Sequence, residues 1–325
     1  MSRRASIRDA LAAMATTALL AAACGSVGTP VDPAPVNAAD RPRPVGVQEN
    51  PPTTTGTAAK TDCNPRASLR PGALPPPGQM PGGSTMRAIQ DRGRLIAGVD
   101  QNTFLFGFRN PSTNNLEGFD IDRVHEIAAA IFGDPNKIQF KVLSSAERIP
   151  ALEKGDVDVV VRTFSATCDR WDRINFSTIY FVAGQKLLVD KASAVTSLQD
   201  LKQKRVCAQR GSTSISKLSG DPSKPVPVAT DTWSDCLVML QQGQVDAVST
   251  DDTILAGMAA QDPNVKIVGE RFTEEPYGIG IPKQSEDMVR FVNGVLEKSI
   301  RDQQWAASYA HWLGSTANAP SPEYR

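Results

Sequence analysis

The chain has 325 residues, 35 of them basic, 35 acidic and only two of them histidine. Zero net charge argues against a nucleic-acid surface, and His125 and His311, far from any cysteine pair, argue against a His/Cys metal site. No Walker motif, dinucleotide glycine fingerprint or HExxH occurs, so no cofactor is expected.

Arg3, Arg4 and Arg8 precede an apolar, Ala-rich run from Ala10 to Ala23. A basic start, a short apolar stretch and small residues describe an export signal over residues 1–23. The run is too short for a comfortable membrane span. Ala21-Ala22-Ala23-Cys24 resembles a bacterial lipobox, although the usual leucine three residues before the cysteine is missing. On that reading Cys24 carries a lipid that holds the protein to the outer face of the cytoplasmic membrane. A plain secretory signal with an incidental Cys24 is the other reading. Residues 24–83 are crowded with Pro, Thr, Gly and Ala and lack apolar periodicity, which predicts a disordered tether.

The folded part is expected to begin near residue 84. Arg94 to Val99 reads as a short apolar strand with Asp100 at its end, followed by the apolar patch Phe104-Leu105-Phe106. Ile121, Val124, Ile127, Ala128 and Ile131 recur at helical spacing, with Asp120 as the expected N-cap and Gly133 as the stop. Arg123 is expected on the helix surface. Ile138 to Leu143 reads as a strand, and Ile149 to Lys154 as a helix. Ile179 to Val189 reads as a long extended crossover. Ser197 to Lys202 is a short helix, and Arg205 to Gln209 is a strand ending in Gly211-Ser212-Thr213-Ser214, a turn that can expose N–H groups to an anion or simply cap a helix. Helices over Trp233 to Gln242 and Asp251 to Ala260, strands at Lys266 to Gly269 and Tyr277 to Ile281, and closing helices over Met288 to Gln303 and Trp305 to Leu313 complete the pattern.

One phrase occurs twice. Leu152-x-x-Gly155-x-Val157-Asp158-x-Val160 is matched by Leu240-x-x-Gly243-x-Val245-Asp246-x-Val248. Each copy reads as a helix stopped by glycine and followed by a buried strand, which predicts two α/β lobes of similar plan. The first strand runs into Arg162, Thr163 and Ser165, with Arg170 beyond; the second runs into Ser249, Thr250 and Asp251. Ligands sit beyond the carboxyl ends of such strands. A cation with hydroxyls on one side and an anion with hydroxyls on the other suit a zwitterion such as an amino acid. Setting Cys24 aside, the four remaining cysteines allow three pairings in an exported protein. Cys207–Cys236 within the second half, with Cys63–Cys168, is the preferred set; buried free thiols are the alternative.

Between about residues 85 and 315 the chain resembles the bacterial extracellular solute-binding proteins of the amino-acid type, family 3. The resemblance rests on Gly118-Phe119-Asp120-Ile121-Asp122, Arg148-Ile149-Pro150-Ala151-Leu152, Gly155-x-Val157-Asp158, Phe176-Ser177, Gln209-x-Gly211-Ser212-Thr213 and Tyr277-Gly278-Ile279-Gly280. It departs at Arg123, where an apolar residue is usual. The resemblance implies an α/β, two-lobed periplasmic-binding-protein type II fold, with two mixed sheets flanked by helices and a double-strand hinge. Lobe 1 would comprise residues 84–182 and 276–315, lobe 2 residues 183–275, and a tail residues 316–325. It implies a monomeric binding protein, not an enzyme, that presents an amino acid to an ABC permease or, alternatively, to a membrane sensor.

By resemblance, Arg170 would grip the ligand α-carboxylate, supported by Thr163 and Ser165. Asp251 would hold the α-ammonium, and Gln209 and Ser212 would belong to the closing loop of lobe 2. Asp100 falls at a position that often lines the ligand, with Phe104 as a possible wall. Arg148 falls where relatives that bind glutamate or aspartate meet the side-chain carboxylate, and Arg162 could add a donor. Ser145 lies near where glutamine-binding relatives place an aromatic residue. Asp100 would repel a second carboxylate. On balance the sequence puts Glu or Asp ahead of Asn or Gln.

Overall fold

Each lobe is built on a sheet of three parallel strands extended by an antiparallel one. The computed structural model describes residues 41–52 and 63–325; the export signal and Cys24 lie outside the described residues. In one sheet Ile138–Val142, Leu95–Val99 and Val159–Val160 run parallel, and Gly280–Ile281 then joins antiparallel, followed by Asn175–Phe176. In the other, Val226–Thr230, Arg205–Gln209 and Ala247–Asp251 run parallel, then Gln185–Asp190 joins antiparallel, followed by Val265–Val268. The plan is the same in both.

The repeated phrase does the same work in each lobe. Gly155 and Gly243 adopt left-handed backbone (φ 70° and 66°), a conformation glycine takes without steric cost. Asp158 then locks onto Ile96 from both ends: its N–H donates to the Ile96 carbonyl (2.8 Å), and its Oδ2 accepts from the Ile96 N–H (2.7 Å). Asp246 makes the matching pair with Arg205, at 2.8 Å and 2.8 Å. So the aspartate fixes the register of the strand beside it, and with it the residues that leave the strand's end.

Two segments connect the lobes. Phe181–Ala183 and Glu275–Tyr277 pair antiparallel, with Phe181 opposite Tyr277 and Ala183 opposite Glu275. The expected extended crossover forms two strands, Phe181–Ala183 and Gln185–Asp190, that meet at Gly184, where a Cβ would lie 2.7 Å from the Thr273 carbonyl oxygen. A paired double strand of this kind permits hinge closure. Each lobe has its own apolar core: Leu95, Val124, Ile127, Met288 and Val292 in the first, Leu188, Val206, Val228, Val248 and Leu255 in the second.

Three expectations need correction. Residues 63–83 are not a free tether. Ser68 is fully buried, its hydroxyl donates to the Phe176 carbonyl (2.8 Å), and Asn293 Nδ2 donates to the Leu69 carbonyl (2.7 Å). The expected tail also pairs here: Glu323–Tyr324 runs parallel to Ala67–Ser68. Gln48–Glu49 adds an antiparallel edge strand to Val226–Thr230. Second, the N-cap of the helix Phe119–Phe132 is Gly118, and Asp120 lies inside the helix with its side chain turned to other partners. Third, Arg123 is buried, set over the Phe119 ring (4.8 Å) and paired with Glu126 (2.5 Å). The structure forms the disulfides Cys63–Cys168 and Cys207–Cys236.

Candidate functional site

Between the lobes lies a small, tightly closed cavity. Lobe 1 lines it with Ser145, Arg148, Thr163, Ser165 and Arg170. Lobe 2 contributes Ser212, Thr213, Ser214, Trp233, Thr250, Asp251 and Ile254. The lobes are closed on each other. Ser145 Oγ donates across the cleft to Gln209 Oε1 (2.7 Å), and Arg148 Nη2 and Arg170 Nη2 both donate to the Gly211 carbonyl (3.2 Å each). Gly211 has φ 73°, and a Cβ on it would lie 2.7 Å from Ala146 Cα in the other lobe. Glycine is required there for both reasons.

The two cavity arginines are buried and, among the described residues, have no carboxylate partner. Arg170 Nη1 donates to the Ser165 carbonyl (2.7 Å). Arg148 donates to the carbonyls of Ser145 (3.0 Å), Arg162 (3.2 Å) and Thr163 (3.4 Å) besides Gly211. Both guanidinium groups lie over the Phe164 ring, at 4.2 Å for Arg148 and 5.0 Å for Arg170, a cation–π arrangement that offsets part of their desolvation. Burial pushes the proton affinity of Arg148 well down, and the charges of Arg170 and Arg162 push it further. Burial lowers that of Arg170 against the pull of Asp169, Glu275 and Asp251. Unmatched buried cations are costly, so the site is poised for an anion.

Asp251 faces the opposite problem. It stands at the N-cap of the helix Asp252–Gln261, yet its side chain makes no capping bond. Its Oδ2 accepts a hydrogen bond from Tyr277 Oη, while Oδ1 is buried and, among the described residues, has no partner. Burial raises its proton affinity well above the carboxylate range, and the charge of Glu275 raises it further; the Tyr277 bond opposes both. An ammonium group would relieve this carboxylate as a carboxylate would relieve the arginines.

Thr163 holds a strained left-handed backbone (φ 39°), rare for a β-branched residue. Asp120 holds it there: its Oδ2 accepts from the Thr163 N–H (2.8 Å) and its Oδ1 from Tyr180 Oη (2.7 Å). Burial pushes Asp120 up to about 7, against the bonds from Tyr180 and Thr163 and the charges of Arg123 and Arg162.

A cleft between matched lobes, lined by unpaired groups of both charges, is a place to hold a small zwitterion. The description of the bacterial extracellular solute-binding proteins, family 3, matches residues 95–315. The chain belongs to that family. It is 39% identical over 230 residues to the ABC transporter glutamine-binding protein GlnH of Bacillus subtilis, covering 70% of this chain and 84% of that protein. It is 31% identical over 249 residues to the glutamate-binding protein GluB of Corynebacterium efficiens, covering 73% of this chain and 84% of that protein. Among solved structures, an ancestral arginine-binding protein bound to arginine superposes with TM-score 0.63 at 36% identity, over 69% of this chain and 99% of that one. The holo arginine-binding protein of T. maritima gives TM-score 0.62 at 28% identity, over 70% of this chain and 99% of that one. Family 3 proteins bind solutes outside the cytoplasm and are not enzymes, which sets aside catalysis in this cleft.

Of the residues singled out from sequence, Arg148, Thr163, Ser165, Arg170, Ser212 and Asp251 line the cavity. Ser212 caps the helix Thr213–Ser219: its Oγ accepts from the Ile215 N–H (3.1 Å) and donates to the Gln209 carbonyl (2.7 Å). Asp100, Arg162 and Gln209 do not line it. Arg162 pairs with Asp100 (2.8 Å) and donates to the Leu143 carbonyl (2.7 Å) and to Ser145 Oγ (2.7 Å), so each charge already has a partner. Gln209 Oε1 accepts from Ser145, and its Nε2 donates to the Asp231 carbonyl (2.6 Å). Phe104 lies edge-on to Phe108 (4.9 Å) and lines a neighbouring cavity with Leu237 and Met258. Thr213 and Ser214 of the Gly/Ser/Thr turn and Thr250 of the second strand exit also line the interlobe cavity, as the sequence pattern suggested, whereas sequence reasoning missed Ile254 and, above all, Trp233. A tryptophan opening an apolar helix reads as core, and only the closed cleft shows otherwise.

Proposed function

We propose that this protein captures a polar L-amino acid between its lobes, with glutamate and aspartate ahead of their amides, and delivers it to an ABC permease. Arg170 would hold the α-carboxylate and Asp251 the α-ammonium, while Arg148 would meet the side chain. The observation that carries this reading is the set of charges without partners among the described residues: two buried guanidinium groups without a carboxylate, and one buried carboxyl group with an unpaired oxygen. Two cations and one anion match the two anions and one cation of an acidic amino acid. The relatives named for glutamine and glutamate support a ligand of this size and polarity. We further propose that lipid on Cys24 anchors the chain to the outer face of the membrane.

Hydrogen bonds to charged groups are worth about 1.5–3 kcal/mol each. Several of these, less the cost of lost ligand freedom, give about −8 to −12 kcal/mol, the micromolar-to-nanomolar range. The test is calorimetry of the purified protein with Glu, Asp, Gln and Asn, repeated on Arg170→Ala. Binding in that range, lost for all four in the variant, is expected. Failure of the unmodified protein to bind any of the four, or unchanged binding by the variant, would overturn the reading.

A further inference from the structure

Two cavity-lining residues carry a buried polar atom that has no hydrogen-bond partner among the described residues: Asp251, through Oδ1, and Trp233, through Nε1. One is an acceptor and the other a donor. Trp233 begins the helix Trp233–Gln241 of lobe 2 and is 3% exposed. A buried indole N–H normally finds an acceptor, and the other three tryptophans of the chain comply. Trp171 donates to the Pro65 carbonyl (2.9 Å), Trp305 to the Tyr180 carbonyl (2.8 Å) and Trp312 to Asp122 Oδ2 (2.8 Å). The exception is the tryptophan in the cleft.

Arg148 makes the same demand from the other lobe. A guanidinium has five N–H donors. Four of these from Arg148 go to backbone carbonyls, of Ser145, Arg162, Thr163 and Gly211. One remains, too few for both oxygens of a side-chain carboxylate. A second donor is needed, and it has to come from elsewhere on the cavity wall. Trp233 and Ile254 line both this cavity and the neighbouring one under Phe104, so the indole stands at the partition between the two chambers.

We propose that Trp233 is a specificity-determining residue whose indole N–H donates to an oxygen of the ligand side chain, a carboxylate or an amide carbonyl. This rests on the amino-acid reading above. It assigns the side chain two donors on opposite lobes, the last free N–H of Arg148 and the N–H of Trp233, so a side-chain oxygen would help to hold the cleft shut.

Phenylalanine at 233 keeps a flat apolar ring and deletes the donor. Trp233→Phe should lower the affinity for the best acidic ligand about 10- to 150-fold, the loss expected for one hydrogen bond to a charged group. It should leave the affinity for L-2-aminobutyrate, which has no side-chain acceptor, within about threefold, measured by displacement. A readout on the unmodified protein does not depend on the variant folding. In a nitrogen-15 correlation spectrum one of the four indole N–H signals should move on addition of glutamate or aspartate while the three already bonded stay nearly fixed. Unchanged affinity for the acidic ligand in Trp233→Phe, equal losses for both ligands, or four stationary indole signals at saturation would each overturn the assignment. Failure of the unmodified protein to bind any amino acid would instead overturn the reading on which it rests.

Discussion

Replacing Asp251 by asparagine removes one charge and keeps the shape. In the structure one carboxyl oxygen accepts from Tyr277 and the other has no partner among the described residues, while burial and the neighbouring Glu275 hold the proton affinity well above the usual range. Burial thus favours the protonated form of this carboxyl, and a ligand ammonium beside it favours the ionised form. The sign of the stability effect follows. The folded state favours the protonated form, so this group's contribution is complete below the unfolded value of about 3.9. It is lost as the pH rises from there through the raised folded value. Asparagine carries no such penalty, so free Asp251→Asn should melt at or above the temperature of the unmodified protein at neutral pH. Its ligand affinity should fall at least about 10-fold, because the ligand ammonium, still bonded to the amide oxygen, loses its buried counter-charge. In the unmodified protein, affinity should weaken as the pH drops beneath the raised value. Calorimetry in phosphate and in Tris should report different apparent enthalpies, reflecting the released proton, and the difference should vanish in Asp251→Asn. Affinity within threefold of the unmodified protein, together with buffer-independent enthalpies, would refute the ammonium role and the proton linkage.

Arg148→Ala should cost about 2–5 kcal/mol for glutamate or aspartate, the penalty for removing one partner of a buried charge pair, and distinctly less for the amides. Equal losses in the two classes would show that Arg148 does not read the side chain. Gly211→Ala should block closure, because the new Cβ would sit 2.7 Å from Ala146 Cα and 2.9 Å from its nitrogen. Solution scattering should then show no ligand-induced compaction and calorimetry at least tenfold weaker binding, with stability of the free protein reduced by only about 1–2 kcal/mol from the left-handed backbone. Normal compaction in this variant would place the closing contact elsewhere.

Much of the fold was legible because it is written twice. The glycine stop and the aspartate register lock recur at the same spacing, so two copies of one supersecondary unit could be recognised without knowing either. The ordered segment before residue 84 was not legible. Its Pro- and Thr-rich composition carries no periodicity, and what orders it is long-range: Cys63 tied to Cys168, Ser68 bonded to Phe176, and Leu74 packed on Gly294. Composition reports whether a segment can build its own core, and says nothing about whether it can borrow one.

The site followed the same logic, with strand register deciding which charges were free. Gly98 lies opposite Val160 in the parallel pair of Leu95–Val99 and Val159–Val160. Two residues further along both strands, that register sets Asp100 beside Arg162, and the structure joins them at 2.8 Å. Each looked like a ligand group when read alone, and side by side they neutralise each other. One residue beyond Arg162 comes Thr163, eight residues after the glycine stop; eight after the second stop comes Asp251, and both line the cavity. A sequence can therefore nominate the residues that leave the strand ends, but which of them remain unpaired depends on the neighbouring strand. Arg148 and Arg170 come from helices, and among the described residues neither meets a carboxylate. Their charge is left for whatever enters the cleft.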